Sequence, residues 1–276
     1  MASIPNIKLN DGHVIPQIGL GLWQVKDAKE FKTAFDAAID AGYRHFDDAQ
    51  VYQNEQFLGT DWHKSSIARD DLFITTKIAI DNFGYNNVHK SFSESLEKLA
   101  TDHVDLILLH WPFSGTRAES WRALEEIQAQ GKARSIGVSN YTIRHLKEMK
   151  TYAKVTPAVN QVELHVFLQQ PELLDYCKQA GIAVEAYSPL AHGAQMKNPA
   201  IRQIAERHNK TYAQIMLRWC IEKGLIVLPK SVMPERIREN FDVFDFSLDA
   251  DDTKKLTGLD RDFRTCWDPE TDPRAT

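Results

Sequence analysis

GYRHFDDAQVYQNE, residues 42–55, begins with a glycine that ends a helix, continues as a short strand, YRHFD, and finishes where the next helix starts. Side chains alternate along a strand, so His45 and Asp47 share one face and Arg44, Phe46 and Asp48 the other. A carboxylate at a strand exit, followed by a loop tyrosine, is one way to build a proton-transfer site. In that arrangement Tyr52 donates the proton and Asp47 anchors a cation that tunes it. Taken alone, the stretch fits a plainer role equally well, with Asp47 capping a turn and Tyr52 packed under the helix.

Outward from this stretch, the chain repeats the same pattern. Residues 6–17 predict a hairpin: IKL, the turn Asn10-Asp11-Gly12, then HVIP. Strand-like runs follow at IGLGLW (18–23), YRHFD (43–47), LFITTK (72–77), VDLILLHW (104–111), ARSIGVSN (133–140), AVNQVEL (158–164), AVEAYSP (183–189) and LIVLPKS (225–231). A helical pattern follows each. Phe31, Ala34, Phe35, Ala38 and Ile39 make one apolar face, with Asp27 and Glu30 at its start and Gly42 as its stop. Thr211 and Gln214 form a capping box, and Gly224 ends that helix. Repeated β-α units joined by right-handed crossovers predict a (β/α)8 TIM barrel, an α/β fold, with the N-terminal hairpin capping its bottom. An open doubly wound sheet competes, but it would normally bind dinucleotides through G-x-G-x-x-G. Gly19-Leu20-Gly21 starts that motif, and Gln24 stands at its third glycine. Residues 1–276 are expected to form a single domain, with 259–276 as a C-terminal tail.

A barrel collects its chemistry at the C-terminal ends of its strands. Here those ends carry Asp47, Lys77, His110, Ser139, Asn140, Gln161, Tyr187, Lys230 and Ser231. Lys77 beside a barrel core is costly unless paired, and Asp47 is the natural partner. His110 alone would be a satisfied core histidine; beside Tyr52, Lys77 and Asp47 it is a candidate to orient a carbonyl. His165 reads as structural. Ser139, Asn140 and Gln161 suit a carboxamide, and Tyr187 offers a face for stacking an aromatic ring, though each equally fits satisfying loop backbone. Lys230, Ser231, Arg236, Glu239 and Asn240 lie on one strand end and the following helix. A helix N-terminus with Lys, Ser and Arg suits a phosphate, against the alternative of an ordinary charged helix face.

Composition narrows the classes. A net charge of -5 gives no bulk attraction to nucleic acid or anionic membrane. Cys177, Cys220 and Cys266 are odd in number and far apart, which argues against a disulfide framework and for a reducing compartment. The start, MASIPNIKLNDG, lacks the pattern of a signal peptide, and the longest apolar run is too short to span a bilayer. No metal-ligand spacing occurs. A cytoplasmic monomer acting on a small molecule, without nucleic-acid or membrane partners, is the expectation.

The blocks GYRHFDDAQVYQNE (42–55), LFITTK (72–77), VDLILLHWP (104–112), IGVSN (136–140), PAVNQVELH (157–165) and LPKSVMPERIRENFDVFDF (228–246) together resemble an aldo-keto reductase, in the family's order and over nearly the whole chain. Length and wording are most similar to short microbial members such as 2,5-diketogluconate reductases. The resemblance implies a (β/α)8 barrel that binds NADPH/NADP+ without a Rossmann motif and reduces aldehydes or ketones. It implies a catalytic tetrad of Asp47, Tyr52, Lys77 and His110. It implies cofactor contacts from Ser139, Asn140 and Gln161 at the carboxamide, and from Tyr187 by stacking. Ser188 and Leu190 would serve the pyrophosphate, Lys230, Ser231 and Arg236 the 2′-phosphate, and Glu239 and Asn240 the adenine. Trp23 and Trp111 would line the substrate pocket, together with Asn140; Trp267 in the variable tail is a further candidate wall. Lys77 is expected to lower the Tyr52 pKa.

Three positions depart from the family's pattern. Asp48 replaces a small hydroxyl residue, and alternation turns it away from the interior. Gln50 is bulkier than usual, and Ala79 stands where members often carry a tryptophan. If the strand of Lys77 continues to Ala79, alternation puts both on one side and widens the substrate pocket. Two other readings remain: a non-catalytic NADPH-binding regulatory barrel, and an aldolase using Lys77 as a Schiff-base nucleophile.

Overall fold

The structure, a computed structural model, describes residues 4–275. The expected domain, 1–276, and its tail, 259–276, therefore have ends outside the described residues. The hairpin forms as β1 (Asn6–Lys8) and β2 (Val14–Pro16), antiparallel, with Ile7 opposite Ile15. Its turn passes through Gly12, whose φ of 92° is in the region that favours glycine.

The remaining strands pair in chain order, all parallel: β3 (Leu20–Gly21), β4 (His45–Asp47), β5 (Phe73–Ile78), β6 (Val104–Leu109), β7 (Ala133–Ser139), β8 (Val159–Glu163), β9 (Ala183–Tyr187) and β10 (Ile226–Leu228). The two edges meet. The Gly19 amide donates to Val227 O at 2.9 Å and the Gly21 amide to Pro229 O at 3.0 Å, which closes the barrel. This settles the fold against an open sheet. Two strands are shorter than their apolar runs. The first stops before Gln24, whose φ is 61°, and the last stops before Pro229, which has no N–H for the ladder.

Leu9 and Ile15 of the hairpin region pack against Phe73, Ala158, Val159 and Ile226, residues at or beside the starts of strands. The hairpin thus plugs the bottom of the barrel. Close approach inside the barrel leaves no room at Gly19, where a Cβ would lie 2.6 Å from His45 Nδ1.

Helices cover the outside. α1 (Ala28–Ala41) buries Phe31, Ala34, Phe35 and Ala38; Asp27 accepts from the Glu30 amide, and Gly42 ends it in the left-handed region. α2 (Glu55–Lys64) follows β4, α3 (Tyr85–Lys98) follows β5 and α4 (Arg117–Ala129) follows β6. α5 (Ile143–Met149) and α6 (Pro171–Ala180) follow β7 and β8. Two helices, α7 (Pro199–His208) and α8 (Tyr212–Glu222), separate β9 from β10, and α8 begins with the Thr211–Gln214 capping box. α9 (Pro234–Phe241) and α10 (Ala250–Thr257) complete the set.

Residues 259–275 then return to the C-terminal rim. The Phe263 amide donates to Phe167 O at 2.9 Å, the Cys266 amide to Glu163 at 3.0 Å, and the Ser114 amide to Arg274 O at 2.9 Å. His145 Nε2 lies 2.9 Å from Ala275 O. The end of β8, the loops after β6 and β8, and α5 therefore hold this segment.

Candidate active site

β4 ends at Asp47 because the chain must turn outward to reach α2. It does so through a single 3-10 turn, Gln50–Tyr52, closed by Gln53 in the left-handed region. This turn brings the Tyr52 hydroxyl within 3.2 Å of Lys77 Nζ. Lys77, on β5, is fully buried, and its ammonium donates to Asp47 Oδ2 at 2.6 Å and to the Asp48 carbonyl at 3.0 Å. Lys77 donates to the tyrosine oxygen as well, so the phenol keeps its own proton to give elsewhere. His110 follows β6, with its ring edge-on to Tyr52 at 5.8 Å between centroids. Strand order places β4, β5 and β6 side by side, and the four expected catalytic residues come together.

The electrostatics follow from burial. Burial alone would lower the Lys77 pKa, but the Asp47 carboxylate and Tyr52 outweigh it and hold Lys77 above its ordinary value. Burial lowers the His110 pKa to about 3, with Lys77 adding to the effect, so its imidazole is neutral. Lys77 does act to lower the Tyr52 pKa, as expected, but it does not prevail. Burial pushes the Tyr52 pKa up to about 12, and the Lys77 ammonium offsets this only in part.

Gln161 on β8 extends the cluster. Its Nε2 donates to Asp47 Oδ1 at 2.8 Å and to Glu185 Oε2 at 3.0 Å. Asn140, at a φ of 65°, donates to the His110 carbonyl and to Ser139 Oγ, and accepts from the Tyr187 hydroxyl at 2.8 Å. Ser139 Oγ donates to the Gln161 carbonyl at 2.9 Å. The expected carboxamide residues are therefore one hydrogen-bonded set, and Tyr187 is tied to it. Ser188 Oγ bonds His192 Nε2 at 2.7 Å, and Leu190 is half-buried in the same turn.

The phosphate candidates lie at the end of β10. Ser231 Oγ accepts from the Met233 amide at 3.1 Å, just before α9. Lys230 and Arg236 are exposed and make no ion pair among the described residues. Glu239 accepts from Thr211 Oγ1 at 2.8 Å, and Asn240 is buried. Two unpaired cations, a hydroxyl and a helix N-terminus suit an anionic phosphate.

Trp111 is buried and meets Trp267 edge-on at 6.2 Å, with the Arg274 guanidinium 5.6 Å over Trp111 and 4.3 Å over Trp267. Trp23 is exposed beside His192. Ala79 follows the last residue of β5. The strand stops at Ile78, but the backbone is still extended at Ala79, which is buried and whose amide donates to Gln50 Oε1 at 2.9 Å. Gln50 is fixed by Asn82 and Ser95 as well, and fills space beside Ala79.

Sequence reasoning missed Glu163, Glu185 and His45, three buried polar residues within strands. A carboxylate in the middle of the apolar run AVEAY was the available signal for Glu185.

The model of the Aldo/keto reductase family matches residues 17–261. Glyoxal reductase of Bacillus subtilis is 44% identical over 264 residues, covering 96% of this chain and 96% of its own. Methylglyoxal reductase of Escherichia coli O157:H7 is 42% identical over 274 residues, covering 98% of each. Among solved structures, an aldo/keto reductase from Brucella melitensis superposes with a TM-score of 0.90 at 46% identity, covering 94% of this chain and 100% of that one. A Bombyx mori aldo-keto reductase in complex with NADP superposes with a TM-score of 0.93 at 31% identity, covering 100% and 99%. Among the described residues no helix is long and apolar enough to cross a membrane, and no cluster suited to a metal ion occurs.

Proposed function

This chain belongs to the aldo/keto reductase family, and from that premise we propose that it reduces aldehydes and ketones to alcohols with NADPH, Tyr52 giving the proton. The observation that carries the reading is the buried Asp47–Lys77–Tyr52 chain opening toward a neutral His110. The residues present fit the cofactor. Lys230, Ser231 and Arg236 would hold the 2′-phosphate, and Glu239 and Asn240 the adenine. Ser188 and Leu190 would serve the pyrophosphate, and Ser139, Asn140, Gln161 and Tyr187 the nicotinamide. When bound, NADPH supplies the hydride.

The chain's own residues handle the oxygen and its proton. The His110 imidazole, neutral at working pH, donates a hydrogen bond to the carbonyl oxygen and polarises it without becoming charged. As negative charge grows on that oxygen, Tyr52 gives up its proton. The phenolate left behind is held by the Lys77 ammonium, which Asp47 fixes in place and Gln161 braces from below. A tyrosine with a raised pKa keeps its proton until the oxygen demands it. Schiff-base chemistry at Lys77 needs a free amine, which the Asp47 pairing disfavours.

Trp23, Trp111 and Trp267 would wall the substrate. Two relatives named for glyoxal and methylglyoxal reduction make small 2-oxoaldehydes the first class to assay.

Tyr52→Phe tests the reading. NADPH consumption with methylglyoxal should fall by ~10²-fold or more, because general acid catalysis contributes about that much. NADPH affinity, followed by fluorescence titration, should be nearly unchanged. Turnover close to wild type would remove Tyr52 as the acid.

A further inference from the structure

Below the site, the barrel interior holds a polar group that the chemistry above leaves unused. Glu185, on β9, is fully buried. It sits opposite Gln161 in the β8–β9 register, and the two side chains meet, Nε2 to Oε2 at 3.0 Å. The same Nε2 reaches Asp47 Oδ1 at 2.8 Å. Two carboxyl groups therefore share one amide nitrogen. The ionisable groups around Glu185 are His45 and Asp47 from β4 and Lys77 from β5. β8 adds Gln161, and β10 adds the apolar Ile226. His45 Nε2 stands 3.7 Å from Glu185 Oε1, beyond hydrogen-bond reach, and bonds Thr75 Oγ1 at 3.3 Å instead.

One ammonium serves this interior, and Asp47 has it. A second ionised carboxylate on the same amide would be a buried charge without a counter-ion. Burial and the Asp47 charge accordingly hold the Glu185 pKa well above the usual carboxylate range, while Gln161 and Lys77 pull the other way. Burial keeps His45 neutral as well, its pKa lowered to about 4. The acceptor oxygens of Asp47 and Glu185 fix which way the Gln161 amide lies. Its nitrogen faces the two carboxyl groups, and its oxygen is left for a partner on the other side.

We propose that Glu185 is a positioning residue for carbonyl reduction: it holds the Gln161 amide that seats Asp47, and through Asp47 the Lys77–Tyr52 pair. The inference rests on the reductase reading of this site. Glu185 touches no reacting atom. Its effect passes through hydrogen bonds of 3.0, 2.8, 2.6 and 3.2 Å, from Glu185 to Gln161, Asp47, Lys77 and Tyr52 in turn. Removing the first link leaves the Gln161 amide with one acceptor and room to turn.

The test compares Glu185→Leu with Glu185→Gln. Glu185→Leu fills the space but accepts nothing, and its kcat should fall about tenfold or more, the scale of a small misplacement of catalytic groups. Glu185→Gln keeps an acceptor oxygen for Gln161 and should recover most of that loss. It cannot ionise, so its pH profile should also lack one feature of the wild type. In the wild type, kcat for reduction falls as pH rises through the Glu185 ionisation, because a second buried anion makes Tyr52 a weaker acid.

The seating is also readable without turnover. In protein carrying 13C-labelled tyrosine, with the Tyr52 resonance assigned by Tyr52→Phe, the Tyr52 titration should move in Glu185→Leu. A folded Glu185→Leu protein with wild-type kcat and an unmoved Tyr52 titration overturns the inference. If Glu185→Leu does not fold, Glu185→Ala, which also removes the acceptor, takes its place, and wild-type kcat with an unmoved Tyr52 titration in that protein overturns it. Wild-type protein that binds NADPH yet reduces no carbonyl overturns the functional reading instead, and the Tyr52 titration still decides the role of Glu185.

Discussion

Asp47 and Asp48 are adjacent in sequence and opposite in fate. Asp47 takes the Lys77 ammonium, whereas Asp48 accepts one bond, from the Ala49 amide, and its other oxygen has no partner. Burial and the nearby Glu55 carboxylate raise the Asp48 pKa well above its ordinary value. The sign of the linkage follows. A carboxyl whose pKa is raised on folding makes stability fall as pH rises from its unfolded value toward its folded one. Asp48→Asn removes that dependence while keeping an acceptor for Ala49. The variant should be more stable than wild type at neutral pH, on the order of 1 kcal/mol or ~2–4 °C in Tm. The gap should close in acid near the unfolded Asp pKa of about 3.9. Melting curves at both pH values check this; a gap that persists in acid would trace to packing instead. His110 gives a second test. Its pKa is lowered to about 3, so the imidazole stays neutral as pH falls through the range where histidine ordinarily titrates. The pH profile of kcat/KM for reduction should show no acid limb near about 6.5. A limb there would mean that His110 works in a solvated environment.

At the scale of elements, α9 and the end of β10 make the sharpest claim. Lys230 and Arg236 are exposed, unpaired among the described residues, and adjoin the start of α9. A charge-assisted hydrogen bond contributes ~1.5–3 kcal/mol, so Arg236→Ala should weaken NADPH about tenfold or more and leave NADH nearly unchanged. Dissociation constants for both cofactors decide it, and equal loss for both would dissolve the clamp. The placement of Lys230, Ser231 and Arg236 was legible because its signal is local: a strand, a Lys-Ser pair, and an arginine in the first turn of a helix. The tetrad was legible for a related reason. Asp47, Lys77 and His110 each end an apolar run, and parallel strands in chain order must bring those ends to one rim. What escaped depends on register and depth. The pairing of Gln161 with Glu185 follows from the β8–β9 register, which no composition reveals. The direction of the Tyr52 shift depends on whether burial or the ammonium prevails, and that needs the depth of the site. The filling of the space beside Ala79 by Gln50 also escaped, because it depends on the turn that carries Gln50 back across β5.

The whole molecule is a barrel with a hairpin at its bottom and a strap along its top rim. The hairpin fills the bottom with Ile15 and Leu9, and the segment 259–275 lies along the catalytic rim. Glu163 holds that segment. Its buried carboxylate accepts from the Thr265 and Cys266 amides at 2.7 and 3.0 Å, from the Thr265 hydroxyl, and from His165 at 3.2 Å. Phe167 donates its amide to His165 Nδ1, which leaves the Nε2 proton for Glu163. Burial alone would raise the Glu163 pKa, but these donors outweigh it and hold the group below the usual range. Its stabilising share is therefore present at neutral pH and lost only as acid protonates it in the folded state. Thr265 lies 102 residues from Glu163 in sequence, which is why the sequence offered no role for Glu163 and read His165 only as structural. Glu163→Ala leaves four donors without their acceptor, three of them part-buried, at a cost of up to ~1–3 kcal/mol for each that water cannot reach. The segment escapes most of that cost by detaching, since a strap can open locally without unfolding the barrel. Detachment carries Trp267 and Arg274 away from Trp111 and, if Trp267 walls the substrate as proposed, removes that wall. The expected result is a modest fall in Tm, cleavage of the tail by proteases that spare the wild type, and a KM for carbonyl raised about tenfold. A Glu163→Ala protein whose tail resists proteolysis and whose carbonyl KM is unchanged would show that the strap is held by its other contacts and that Glu163 is not its clasp.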